Sequence, residues 1–305
     1  MQRILEPGQI EALAQRSIPR IRLPDRAHVF SSRAERLRKL SEGGHAIGDY
    51  LRLMAALADA QHVALASFES TPPAAEQVTR ARTHGMPVIP AASWPRDSRW
   101  RDLLARLCET VAALPDVPAG VRELCDRLQH APPEQLETQA DALLAARTEG
   151  VDAAAAPFLM AALQVHWVDL ASRLAAEDVA ELGTPGVCPV CGSLPIASVV
   201  RSDPRSQGYR YLHCALCATE WHMVRVTCSQ CESTKGISYQ VIEGGPEAVR
   251  AECCDDCRTY RKILYQEKDG GVEPVADDLA SLSLDLLLSE AGYHRGSGNP
   301  LLWQP

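Results

Sequence analysis

The sequence has no apolar run long enough to cross a bilayer. Its most apolar stretch, AAAAPFLMAALQV at 153–165, contains Pro157 and falls short of the roughly 20 residues that a spanning helix needs. The opening MQRILEPGQIEALAQ lacks both the apolar segment and the small-residue cleavage site of a secretory signal. These two absences predict a cytoplasmic protein without membrane insertion. An excess of positive charge is missing as well. The net charge of −8 argues against nucleic-acid binding driven by overall charge, although a local basic patch stays open. There is no phosphate loop, no dinucleotide fingerprint and no nucleophile–base constellation. The Ser and His of HVALAS at 62–67 have no elbow context, and the expectation is therefore a protein that is not an enzyme. A hydrophobic content of 46% makes wholesale disorder unexpected, and 305 residues suggest two or three domains.

What is present instead is cysteine. Without an export signal, Cys-x-x-Cys pairs read as metal or redox sites rather than disulfides. Eight of the eleven cysteines fall into a repeated frame. Adding 40 to Cys188, Cys191, Cys214 and Cys217 gives Cys228, Cys231, Cys254 and Cys257, and in each frame 22 residues separate the two pairs. A Cys-x-x-Cys turn aims two thiolates at one point, and two facing turns complete a tetrahedral four-sulfur site. The intervening sequence suits a hairpin: a β-prone run, a turn (RSDPRSQG, then EGGPE) and a return run. Units of about 40 residues seldom fold without a disulfide, a metal or a partner, and a structural zinc ion contributes about 10–16 kcal/mol to folding a finger peptide. The frame predicts two metal ions per chain, one per repeat, with these eight cysteines as ligands. The repeat favours this sequential pairing over one that joins Cys214/Cys217 to Cys228/Cys231. No βαβ context supports a thioredoxin-like dithiol.

Iron and zinc both accept four thiolates, and the residues leave the choice open. CPVCG at 188–192 carries the glycine of a rubredoxin-type knuckle, whereas Ala218, Glu232 and Arg258 follow the other three pairs. Cys253 reads as a spare thiol, because neighbouring side chains diverge. His213 and His222 read as strand-face residues, and Cys108, Cys125, Phe158 and Trp167 as core.

Residues 1–183 read as an all-α domain. Ser32 and Glu35 fit a capping box. Apolar residues at 100, 103, 104, 107, 108 and 111 form a helical stripe, and Thr71-Pro72 with Gly85 bracket another helix. Further helices are expected at 47–66, 119–129, 133–147 and 158–176. Then come two four-cysteine ribbons, at 184–226 and 227–268, resembling rubredoxin or zinc ribbons. A C-terminal helix within 269–305 packs back on the rest, with Asp277/Asp278 in its first turn, where carboxylates suit the helix dipole. The fold class is multidomain α+β.

From Cys188 to Glu267 nine Lys/Arg balance nine Asp/Glu, so the ribbons lack the positive excess with which nucleic-acid binders neutralise phosphates. A tandem zinc-ribbon nucleic-acid-binding or regulatory protein, and a rubredoxin-like electron carrier, are the alternatives to a metal-stabilised protein-interaction module. The blocks CPVCGSLPIAS (188–198), GYRYLHCALCATEW (208–221), CSQC (228–231), RAECCDDCRTY (250–260), VADDLASLSLDLLL (275–288) and EAGYHRGSGNPLL (290–302) carry a resemblance. In order and spacing they resemble the formate dehydrogenase accessory protein FdhE family. The likeness is continuous over 188–302 and looser before it, where SSRAERLRKL at 31–40 is similar. This resemblance implies a cytoplasmic assembly factor. It would bind the catalytic, molybdenum-containing subunit of a respiratory formate dehydrogenase and be required for its activity. It also implies rubredoxin-like iron at the eight cysteines. Homo-oligomerisation is left open.

Overall fold

In the computed structural model, which describes residues 18–147 and 149–303, the N-terminal half is helical wherever an apolar stripe recurs at helical spacing. Helix α1 spans Val29–Ser41, α2 Gly48–Ser67, α3 Ala75–Thr83 and α4 Trp100–Ala112. Helices α5 (Ala119–Gln129), α6 (Pro133–Leu144) and α7 (Ala156–Ser172) follow. The α4 stripe is fully borne out: Trp100, Leu103, Leu104, Leu107, Cys108 and Val111 are its buried residues. Helix α7 is buried on every side from Ala156 to Ala171, as expected of a helix that is apolar all round, and forms the axis of the core. Among the described residues, no helix is long and apolar enough to cross a membrane.

Two helix starts differ from expectation. Ser32 lies inside α1, not at its cap; His28 precedes the helix, and no side chain caps it. Asp25 shapes the entry turn instead, accepting the Ala27 N–H at 2.9 Å and facing His28 Nδ1 at 2.9 Å. The helix bracketed by Thr71-Pro72 begins only at Ala75, where the Ala74 N–H donates to the Gln77 side chain at 2.9 Å. Its end is as expected, with Gly85 just beyond at a φ of 60°.

The C-terminal half contributes most of an eight-stranded sheet. Its strands are β1 (Ile21–Arg22), β2 (Pro195–Val200), β3 (Arg210–Cys214), β4 (Glu220–His222), β5 (Ile237–Gln240), β6 (Val249–Cys254), β7 (Thr259–Tyr265) and β8 (His294–Arg295). Each cysteine frame forms an antiparallel three-stranded meander, β2-β3-β4 and β5-β6-β7. The meanders are joined in one sheet, ordered β1-β4-β3-β2-β7-β6-β5, by parallel pairing of β2 with β7 from Ser198↔Ile263 to Val200↔Tyr265. The short β1 comes from the helical half and pairs with β4.

The expected single C-terminal helix is two, α8 (Pro274–Ala280) and α9 (Leu282–Glu290), broken at Ser281. Two side chains draw on the carbonyls at the break: the Ser281 hydroxyl, which donates to Asp277 O at 2.7 Å and Asp278 O at 3.2 Å, and Lys262 on β7. Its ammonium takes the carbonyls of Asp278 at 2.7 Å and Ser281 at 3.1 Å, the first of which an unbroken helix would use itself. Asp277 and Asp278 are also more than a dipole-friendly first turn. Both are buried. Asp277 takes a two-point contact from Arg36 of α1 at 2.6 and 2.9 Å, and Asp278 meets Arg295, Lys262 and Asn299. The cap proper is Glu273, whose carboxylate accepts the Ala276 N–H at 2.7 Å.

Candidate metal centres

Each frame gathers its own four thiols. Cys188, Cys191, Cys214 and Cys217 form one cluster and Cys228, Cys231, Cys254 and Cys257 the other, with the sulfurs of each within 4.8 Å of one another. In both, the first cysteine faces the fourth and the second faces the third. The Sγ–Sγ distances are 3.6 Å (188–217) and 3.4 Å (191–214), then 3.6 Å (228–257) and 3.7 Å (231–254). A tetrahedron with metal–sulfur bonds of about 2.3 Å has edges of about 3.8 Å, so a thiophilic cation such as Zn or Fe fits with little adjustment. The crossed pairing, Cys214/Cys217 with Cys228/Cys231, does not occur.

The turns that aim these sulfurs share one backbone form. The residue after the second cysteine of every pair has a positive φ: Gly192 at 77°, Ala218 at 57°, Glu232 at 61° and Arg258 at 55°. Three of these are not glycine, and the left-handed region costs an ordinary residue roughly 1–2 kcal/mol. The knuckle therefore forms without the glycine that marks it in sequence. The turns repeat in hydrogen bonding too. Cys188 N–H donates to Ser193 O and Gly192 N–H to Cys188 O; forty residues on, Cys228 donates to Ser233 O and Glu232 to Cys228 O. Backbone N–H groups also point at sulfur, from Leu216 and Cys217 to Cys214 and from Gln230 to Cys228, each at 3.4 Å.

Four thiols at this spacing resist ionising together. Burial pushes the Cys188 and Cys214 thiols well above the usual range, and the neighbouring thiols push Cys188 the same way. Burial likewise takes Cys228 up to about 12. Burial also opposes ionisation of Cys257, but hydrogen bonds from Thr259 and from the Cys231 and Cys228 thiols outweigh it and bring the thiol down to about 7. A bound cation would remove this conflict, because metal-bound thiols are deprotonated.

The two centres differ in setting. The first is part of the main core, packed with helices α1 to α7 and with Val275, Ala276 and Leu279 of α8. Its turns are fixed to the helical half by hydrogen bonds. Ile89 N–H donates to Val190 O at 2.9 Å and Ala91 N–H to Cys191 O at 2.8 Å, while Gln164 of α7 donates to Ala215 O at 2.7 Å. The second ribbon packs with helix α9 in a separate, smaller apolar cluster around Ala251, Tyr260, Leu264, Leu284 and Leu288. An ion pair between Arg210 and Glu252 at 2.7 Å, both buried, ties the ribbons together. Gly186, in the linker, touches the second knuckle so closely that a Cβ there would lie 2.4 Å from Ser229 O.

The other tempting residues stand apart from both clusters. Cys253 is buried in the apolar cluster that the second ribbon forms with α9. Cys108, Cys125, Phe158 and Trp167 are core. His222 meets the Tyr209 and Tyr211 rings edge-on. His213 has a role that strand patterning did not reveal. Its Nδ1 lies 3.1 Å from Glu220 Oε1, while its Nε2 is buried without a partner. The ring lines a cleft of about 460 Å³ between α1, the first ribbon and the loop before α8. Burial opposes ionisation of Glu220, but the charge of Arg201 and the His213 hydrogen bond outweigh it and hold the carboxyl down to about 2.

Comparison with known proteins covers nearly all of this architecture. A family model described as FdhE, N-terminal, matches residues 18–184; the FdhE central domain matches 187–225 and the FdhE C-terminal domain 226–302. A Protein FdhE homolog from Cronobacter sakazakii is 42% identical over 305 residues, covering 99% of this chain and 97% of the relative. Protein FdhE of Salmonella paratyphi A is also 42% identical, covering 98% and 96%. The crystal structure of the FdhE protein from Pseudomonas aeruginosa superposes with a TM-score of 0.79 at 38% identity, covering 93% of this chain and 98% of that one.

Proposed function

Because the chain belongs to the FdhE family, we propose that it serves as an accessory factor for respiratory formate dehydrogenase. In this reading it binds the enzyme's catalytic subunit in the cytoplasm and is required for its activity, without turning over formate itself. Eight cysteines hold two metal ions: Cys188, Cys191, Cys214 and Cys217 one, and Cys228, Cys231, Cys254 and Cys257 the other. The observation that carries the reading is the near full-length match to relatives named FdhE, supported by two four-thiol clusters of the same geometry. A metal in such a site supplies folding free energy and, where it is iron, a one-electron couple. The chain's own contribution is to orient the thiolates on strained turns, shield one centre from water and weld two small ribbons into one sheet. A rigid surface of this kind suits docking, since preorganised backbone lowers the ordering cost of association.

The test is a strain lacking this protein. Formate-dependent respiratory electron transfer should fall while the catalytic subunit is still synthesised, and the wild-type chain should restore it. Co-purification should recover that subunit with the wild-type chain and not with paired Cys→Ser variants. Normal formate oxidation in the deletion strain would overturn the proposal.

A further inference from the structure

The two clusters share one ligand geometry but not one exposure. Cys188, Cys191, Cys214 and Cys217 are between 0% and 1% exposed. In the second cluster Cys228 and Cys254 are buried, but Cys257 is half-buried and Cys231 is exposed. The surroundings follow the same division. Val190, Leu216 and Ala218, at the first knuckles, are buried. At the second, Gln230, Glu232, Asp255, Asp256 and Arg258 are exposed. We infer that the second centre is an exchangeable metal site, open to an incoming soft divalent cation, while the first is a closed structural one. This inference rests on the reading that both clusters hold a metal.

The chemistry of exchange at a thiolate site explains why exposure decides. A cation is replaced when the newcomer binds a sulfur lone pair before the resident has left, so at least one thiolate must be reachable from solvent. Cys231 offers such a sulfur, with Cys257 beside it; the first cluster offers none. Three carboxylates, Glu232, Asp255 and Asp256, fringe the second site on its exposed side against Arg258, while the buried Arg261 guanidinium reaches Ser229 from the inner side at 2.8 Å. A fringe of that sign attracts cations. Opening the first cluster requires separating its knuckles from the 88–91 segment and from α7, whose hydrogen bonds hold them. Opening the second requires no movement of the helical half. Its knuckles are held within the C-terminal half, by the Ser233 hydroxyl donating to Asp256, by the Asp255 N–H donating to Gly236 O at 2.9 Å, and by Tyr293 and Ala291, which meet Asp255 and Arg258.

The experiment uses the full chain loaded with zinc and titrated with cadmium. Native mass spectrometry counts the two metals, and the thiolate-to-cadmium absorption band follows the rate. A species with one zinc and one cadmium should accumulate, the second exchange being at least about a hundredfold slower because a buried element opens rarely. Cys231→Ser should remove the fast phase. N-ethylmaleimide supplies a readout that needs no variant: peptide mapping should find Cys231 and Cys257 alkylated before any cysteine of the first frame. Simultaneous exchange of both metals, or equal alkylation of both frames, would overturn the inference and leave the two-metal reading standing. A chain that takes up fewer than two zinc ions would overturn the reading beneath it.

Discussion

Replacing Arg36 with Met would cut one of the two buried ion-pair ties between helix α1 and the C-terminal segment, the other being Arg33 with Glu273. Arg36 is 6% exposed and holds Asp277, 1% exposed, through two hydrogen bonds, with a third at 2.8 Å to Asp269. Methionine fills much of the same volume but leaves the Asp277 carboxylate buried without its cation. Breaking a buried pair from one side costs roughly 3–5 kcal/mol. Asp277→Asn should cost less. Burial already pushes the Asp277 carboxyl up despite Arg36, and Asn can still accept the Glu273 N–H that Asp277 accepts at 2.8 Å. The double variant should then cost less than the two single changes added together. Hydrogen exchange of the α8 amides reads this directly. At roughly 1.4 kcal/mol per decade, Arg36→Met should lower their protection by about a hundredfold or more. A change under about threefold, or a double variant worse than the sum of the singles, would refute the reasoning.

Cys188→Ser should lower the stability of the whole chain, because the first cluster lies in the main core; Cys231→Ser should loosen only the second ribbon. Hydrogen exchange along the helical half separates the two outcomes. Ala218→Gly relieves a left-handed alanine at a φ of 57° and should raise stability by about 0.5–1 kcal/mol, measured by denaturant unfolding, after the greater entropy of glycine is offset. His166 is buried between the Phe68 and Trp167 rings with neither ring nitrogen partnered, and burial lowers its pKa to about 4. As pH falls from 6.5 towards 4, the unfolded chain takes up a proton that the folded chain refuses, so stability falls by about 3 kcal/mol in all. His166→Phe should flatten that slope between pH 7 and pH 5; an unchanged slope would contradict the assignment.

Local signals carried the helices well and the connections poorly. The α4 stripe was legible because burial on one face repeats with the helical period. The start of α1 was not, since Ser32 and Glu35 mimic a capping box while the entry turn is shaped by Asp25. At the break, Ser281 supplies a local signal, its hydroxyl taking the Asp277 and Asp278 carbonyls, but Lys262 on β7, which takes the Asp278 and Ser281 carbonyls, lies in no window around it. Pairing of the cysteines followed from the forty-residue repeat, but fusion of the ribbons through β2 and β7 is a long-range parallel pairing without a local mark. Missing glycines after three of the knuckles hid a conformation that Ala218, Glu232 and Arg258 adopt regardless. The difference in exposure between the clusters is not in the cysteine spacing, which is the same in both frames, but in the residues between and after the cysteines: Val190, Leu216 and Ala218 in the first against Gln230, Glu232, Asp255, Asp256 and Arg258 in the second.

X-ray absorption at the metal edge of the purified full chain, combined with elemental analysis, tests the central claim most directly. Two metal equivalents per chain, each surrounded by four sulfur scatterers at about 2.3 Å, are the predicted result. A single equivalent, or nitrogen and oxygen scatterers in place of sulfur, would contradict it.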